Sequence, residues 1–209
     1  GRNGAGKTTT MRAIMGLCDR SGGRVMLGDT DISALPAHEA PRQGVGYIPQ
    51  GRRLFAEMTV AENIGLMQGS FERRLGLINW RLTRKRASEA LALVSDTIDP
   101  DMRVQELTRT EKSLVAIARA LARNAKLLVL DEPTASLPQS DVEMLHEVLC
   151  RLRETGVAMI YVSHRLDEVF AIGDRAVVRT QVTEIAGRSC NVEFEILRQE
   201  TGKVAAIGW

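Results

Sequence analysis

Cysteine, aromatic side chains, long apolar runs and an excess of either charge are all scarce in these 209 residues. The three cysteines, Cys18, Cys150 and Cys190, are far apart and odd in number, which supports neither a disulfide framework nor a zinc cluster and points to a reducing compartment. The longest apolar stretches, 127–130 and 157–162, fall far short of the roughly 18–20 residues that a bilayer span needs, so nothing here crosses a membrane unaided. The 28 basic and 26 acidic residues leave a formal charge of +2, too balanced to imply a nucleic-acid or membrane-surface protein by electrostatics alone. Neither an initiator Met nor a secretory apolar stretch opens the chain, and its start at Gly1-Arg2-Asn3-Gly4 reads as a cut edge. Apolar residues at 44% and charged residues at 26% are ordinary for a globular protein and exclude disorder and collagen-like composition.

Helical and strand signals alternate along the chain, the pattern of an α/β domain with a mainly parallel sheet. Helices are expected over 7–18, 81–95, 110–123 and 166–172, short strands over 24–27 and 44–48, and an irregular stretch over 69–80. Thr59 and Glu62 have capping-box spacing at the start of a helix running towards Gln68, and Ser140 and Glu143 have it again. Leu145, Val148, Leu149 and Leu152 then recur at helical spacing until Gly156. The unbroken run 127–130 suits a strand buried on both faces, stopped by Pro133, with Asp131 and Glu132 at its carboxyl end. A second buried strand is expected over 157–162, and alternating strand segments without clear turn logic follow Arg179.

Gly1-Arg2-Asn3-Gly4-Ala5-Gly6-Lys7-Thr8 fits the phosphate-loop pattern in full, and Thr9 adds a second hydroxyl. Glycines let the backbone approach phosphates without a Cβ clash, so that successive N–H groups converge on the anion. A helix starting near Lys7 adds the positive end of its dipole, Lys7 can reach the β- and γ-phosphates, and the Thr8 hydroxyl can ligate Mg²⁺. Phosphoryl transfer also needs a carboxylate for the metal and a base or orienting group for the attacking water, and Asp131 and Glu132 can supply both.

In this order the residues resemble the nucleotide-binding subunits of ATP-binding cassette proteins, the ABC ATPases. The phosphate loop is followed by Tyr47-Ile48-Pro49-Gln50, similar to the family's Q-loop, and by 107–121, which aligns without gaps on its signature motif and helix. The 127–132 segment is similar to the Walker B strand, Thr134-Ala135-Ser136-Leu137 to the D-loop, and Tyr161-Val162-Ser163-His164 to the switch-histidine segment. The resemblance implies a P-loop NTPase fold over 1–179, with a helical subdomain inserted at about 59–123 and a strand-like segment over 180–209. It implies ATP and Mg²⁺ as cofactors, with Gly1, Asn3, Gly4, Ala5, Gly6, Lys7, Thr8 and Thr9 around the phosphates. Thr8, Gln50 and Asp131 would serve the metal, Glu132 would polarise the attacking water, Gln50 would sense the γ-phosphate, and His164 would contact it. The implied partners are a second cassette, transmembrane permease subunits and, indirectly, a solute-binding protein, at the cytoplasmic face of the cell membrane.

Three departures from the family pattern qualify this. The signature reads Leu107-Thr108-Arg109-Thr110-Glu111, so Arg109 and Thr110 stand where two glycines would let the backbone close on the partner's nucleotide. Pro138 replaces the usual acid after the D-loop. The family's strand before the phosphate loop would precede Gly1; its expected place is beside the Walker B strand, and 180–209 is expected to lack the family's hairpin. Leu166-Asp167-Glu168-Val169, Glu132 to Leu137 and Gly76 to Trp80 resemble carbohydrate importers, whereas 44–63 resembles branched-chain amino-acid importers. A sugar importer ATPase is the leading reading; a degenerate nucleotide-binding module that supports a partner cassette and the ATPase of a branched-chain amino-acid importer are the alternatives. Arg73, Arg74, Arg81, Arg84, Lys85 and Arg86, near Glu72 and Glu89, have little aromatic interleaving, which favours a solvated face or a surface near the membrane subunits over nucleic acid.

Overall fold

The computed structural model describes residues 7–18, 22, 24–27, 30–67, 73–74, 77–163, 165, 168, 176–186, 189–198 and 204–206. Helix α1 runs Lys7–Ile14, four residues short of the expected end, and the first strand narrows to β1, Met26–Leu27, paired antiparallel with β2, Thr30–Asp31. Strand β3, Val45–Ile48, matches its expectation. Thr59 and Glu62 form the reciprocal capping box, at 3.1 and 2.7 Å, that starts α2, Val60–Met67. The stretch read as irregular carries a two-rung ladder of β4, Arg73–Arg74, and β5, Leu77–Ile78. The Asn79 side chain then accepts from the Leu82 N–H and starts α3, Trp80–Ala92.

Helix α4, Arg109–Leu121, leads into β6, Leu127–Asp131. Helix α5, Gln139–Glu154, has its N-cap two residues before the expected one: extended Pro138 stands there, and Ser140 lies inside the helix without capping it. Proline fixes φ and lacks an N–H, so it ends the preceding turn at no cost in hydrogen bonds. Strand β7 is Ala158–Val162. The expectation that 180–209 lacks a hairpin is overturned: β8, Ala176–Ala186, and β9, Ser189–Arg198, pair antiparallel, with a register shift between Val182 and Glu184. Strand β10, Val204–Ala206, joins the main sheet. Period-two alternation there was legible, but the residues that turn it were not.

The main sheet has the order β10-β7-β6-β3 with every described pairing parallel. Strand β6 is paired on both edges, by β3 and β7, so the place beside it expected for the strand before the phosphate loop is taken by these two. Its side chains divide by parity. Leu128 and Leu130 join Ile48, Met159 and Tyr161 on the face covered by α4 and α5, while Val129 joins Val45 and Val162 on the face covered by Met11 of α1 and by Met15 just after it. A strand covered on both faces has no polar side to show, which is why 127–130 is unbroken in the sequence. On the α4 face β3 allows no extra atom: a Cβ at Gly46 would stand 2.8 Å from both Ala120 Cβ and Leu128 Cδ2. Gly46→Ala is therefore expected to cost about 1–3 kcal/mol by overpacking. It should lower the melting temperature by several degrees in a thermal scan.

Candidate functional site

Parallel pairing puts Ile48, Asp131 and Val162 at one end of the sheet, so the chain segments that follow them leave together. Ligands of open α/β sheets bind at such carboxyl ends. Asp131 is 1% exposed, and the Tyr47 phenol donates to its Oδ2 at 3.4 Å. Burial, then the nearby Asp131 carboxylate, raises the Tyr47 pKa above its ordinary value. The phenol is thus held in its donor form. The chain turns sharply at Glu132, whose φ is 48° and whose N–H donates to Val162 O at 2.8 Å. Gln50 and Glu132 line the same cavity of about 260 Å³, together with Arg52, Ser113 and Ser136.

Mg²⁺ is ordinarily bound by one or two carboxylates plus waters and substrate phosphates, not by an all-protein cage. A single buried Asp131 carboxylate at a strand end fits that mode. Among the described residues no group of three or more His, Cys, Asp or Glu could hold a metal ion alone. Gly1, Asn3, Gly4, Ala5 and Gly6 lie outside the described residues, as does His164. Lys7, Thr8 and Thr9 occupy the first turn of α1, and their side chains are outside what is described. The helix expected over 166–172 also lies outside, apart from residue 168.

The signature segment differs from its expectation in how it uses its side chains. Thr108 is the N-cap of α4, with its Oγ accepting from Glu111 N–H at 3.2 Å and Glu111 Oε2 accepting from Thr108 N–H at 2.7 Å. The Thr108-x-x-Glu111 spacing is as readable as the one at Thr59. Thr110 is 5% exposed and turns inward, donating its hydroxyl to Asp141 of α5. Arg109 is exposed and reaches back towards the D-loop, with Nη1 3.4 Å from Ser136 O.

Two further clusters were missed by sequence reasoning. Arg52 donates from Nε to Ser113 Oγ at 2.7 Å and from Nη2 to Ser136 Oγ at 3.1 Å. Burial, and then the like charge of Arg109, pulls its pKa below the ordinary guanidinium value. Arg119 donates to the carbonyls of Arg52 and Arg53, each at 2.8 Å, and burial lowers its pKa too. The second cluster centres on Glu168, which is 2% exposed. Its Oε2 accepts from Thr134 at 2.6 Å and from Tyr161 and Ser163 at 2.9 Å each, while its Oε1 lies 3.1 Å from Arg165 Nη1. Burial, reinforced by Glu168, raises the Tyr161 pKa far above that of free tyrosine, so this phenol remains a donor at any ordinary pH.

The family model described as ABC transporter matches residues 1–135. A ribose import ATP-binding protein of Rhizobium meliloti is 39% identical over 178 residues, covering 85% of this chain and 35% of the relative. An arabinose import ATP-binding protein of Pseudomonas syringae is 38% identical over 178 residues, again 85% and 35%. The chain spans roughly a third of the length of these curated relatives. An ATP-binding cassette solved as a dimer in a post-hydrolysis state, bound to ADP and Pi, superposes with a TM-score of 0.66 at 25% identity, covering 81% of this chain and 75% of that one.

Proposed function

We propose, starting from the fact that the chain belongs to the ABC transporter family, that it is an ATP-binding and ATP-hydrolysing cassette of an importer that energises sugar uptake through a membrane partner. The observation that carries the enzymatic part is the shared cavity of Gln50 and Glu132 at the carboxyl end of the sheet, beside buried Asp131. The sugar assignment is supported by relatives whose names are ribose and arabinose import ATP-binding proteins. In this reading residues 1–179 are the ATPase domain, 59–123 its helical subdomain, and the cassette works as a peripheral protein at the cytoplasmic face, paired with a second cassette and bound to permease subunits.

The roles follow from the chemistry of the side chains. The backbone of Gly1, Asn3, Gly4, Ala5 and Gly6 holds the phosphates, with Lys7 and Thr9 beside it. Thr8, Asp131 and Gln50 are the residues that hold Mg²⁺, which when bound neutralises charge on the β- and γ-phosphate oxygens. Glu132 takes or orients the proton of the attacking water, its carboxylate aimed by the left-handed turn and by the bond from its N–H to Val162 O. His164 meets the γ-phosphate. A second cassette closes on the signature segment, where Thr110 is buried against Asp141 and Arg109 is the exposed residue in a glycine's place. Exposed Arg109 favours the second reading, a module that clamps ATP and serves a more active partner.

Calorimetric titration with Mg·ATP, run beside Lys7→Ala, tests the proposal. Saturable binding that is lost in the variant is the expected result. A folded chain that takes up no Mg·ATP would remove the autonomous cassette from consideration.

A further inference from the structure

We propose that Arg119, with Arg52, is a positioning residue for Gln50, holding a strained turn between the Gln50 segment, helix α4 and the D-loop. This rests on the role given above to Gln50; the clamp itself stands on geometry alone.

Three consecutive residues after Gln50 have positive φ: Gly51 at 83°, Arg52 at 61° and Arg53 at 45°. Glycine adopts this region freely, but two arginines in a row do not, and residues held there persist only when their surroundings over-determine them. Two bonds lie inside the turn, Arg52 N–H to Pro49 O at 3.0 Å and Arg53 N–H to Gly51 O at 2.7 Å. The rest come from outside. The planar guanidinium of Arg119 presents its two terminal nitrogens to the carbonyls of Arg52 and Arg53 at 2.8 Å each, a fork that a lysine could not supply. The Arg52 side chain continues to Ser113 and Ser136. Ser113 in turn donates to Arg109 O at 3.2 Å, so its hydroxyl is used as both donor and acceptor.

The turn is therefore fastened to α4 at Ser113 and Arg119 and to the D-loop at Ser136, four residues beyond Glu132. Gln50 sits between Pro49, whose φ is fixed, and this clamped turn, so its backbone has little freedom of its own. Loss of the clamp frees the residue that lines the cavity with Glu132.

Two measurements on the chain decide it, and the first needs no turnover. Limited trypsin digestion followed by mass spectrometry reads cleavage after Arg52 and Arg53, sites that the left-handed turn shields in the native chain. Arg119→Ala is expected to raise cleavage at these two bonds at least tenfold, with cleavage after Arg84 and Arg123 unchanged. Equal rates at 52 and 53 in both proteins overturn the clamp. If Arg119→Ala does not fold, Ser113→Ala combined with Ser136→Ala removes the anchors of Arg52 and should produce the same selective cleavage. The second measurement is a double-mutant cycle on ATP turnover. Arg119→Ala should lower kcat about tenfold with KM for ATP unchanged, and adding it to Gln50→Ala should cost no more than Gln50→Ala alone. Multiplying losses mean that Arg119 does not act through Gln50. A native chain without ATPase activity defeats the hydrolase reading and the claim that the clamp serves Gln50, while the digestion still decides whether the clamp exists.

Discussion

Glu132→Gln is expected to lower ATP turnover by roughly 10²–10⁴-fold, the range over which a positioned general base contributes, while Mg·ATP binding persists. The substitution keeps the shape of the side chain and removes its basicity. The backbone turn has φ of 48°, an N–H bond to Val162 O and Pro133 after it. A thermal scan of the variant beside the native chain separates lost chemistry from misfolding. Steady-state phosphate release, with calorimetry to confirm binding, is the measurement. Turnover within tenfold of the native chain would show that Glu132 does not activate the water.

Glu168→Ala is expected to destabilise the fold by about 3 kcal/mol, the lower end of the range for breaking a buried ion pair by removing one partner. The lower end applies because Arg165 is one-third exposed and can turn to water, and because Thr134 and Tyr161, 3.4 Å apart, can bond each other once the carboxylate is gone. Ser163 retains one role as acceptor, from Arg165 N–H at 3.0 Å. Glu168→Gln should cost less, roughly 1–3 kcal/mol, since it keeps the volume but supplies one acceptor where three hydroxyls and a guanidinium converge. Urea unfolding of both variants checks this, with an unchanged m-value showing that only the native state was affected. Equal stability of Glu168→Ala and the native chain would mean that the cluster contributes nothing to folding.

Local signals in the sequence transferred well where one segment decides its own geometry. The capping box at Thr59, the apolar run of β6 and the helical spacing of Leu145, Val148, Leu149 and Leu152 all describe what the chain does. The reading at Ser140 failed because Pro138, two residues upstream, had already begun the helix. Asp141 beside it is used elsewhere, as the acceptor for Thr110. The hub at Glu168 could not be read, since Thr134, Tyr161 and Ser163 stand at neither an i,i+3 nor an i,i+4 interval from it and only Arg165 is at i,i+3. Arg119 was equally silent: in a helical pattern it is one more polar residue, and only the fold brings it to the two carbonyls. Asp131 and Glu132 were candidates from the acidic end of an apolar strand taken with the phosphate loop, whereas Gln50 rested on the ordered resemblance of several motifs. Their convergence at one sheet end is supplied by parallel pairing.

The parallel pairing of β3 with β6 also has a cost in time. Tyr47 and Asp131 are 84 residues apart, and closing a flexible loop of that size costs about 4 kcal/mol of chain entropy on a (3/2)RT ln n scale. On a ribosome adding about 5–20 residues per second, β3 waits roughly 4–17 s for its neighbour to be synthesised. Its exposed edge is open to foreign strands for that interval. Helices α2, α3 and α4 lie wholly within the gap, carry caps at Thr59, Asn79 and Thr108, and can condense by local contacts before β6 emerges. Once formed, these helices shorten the loop that β6 must close against β3.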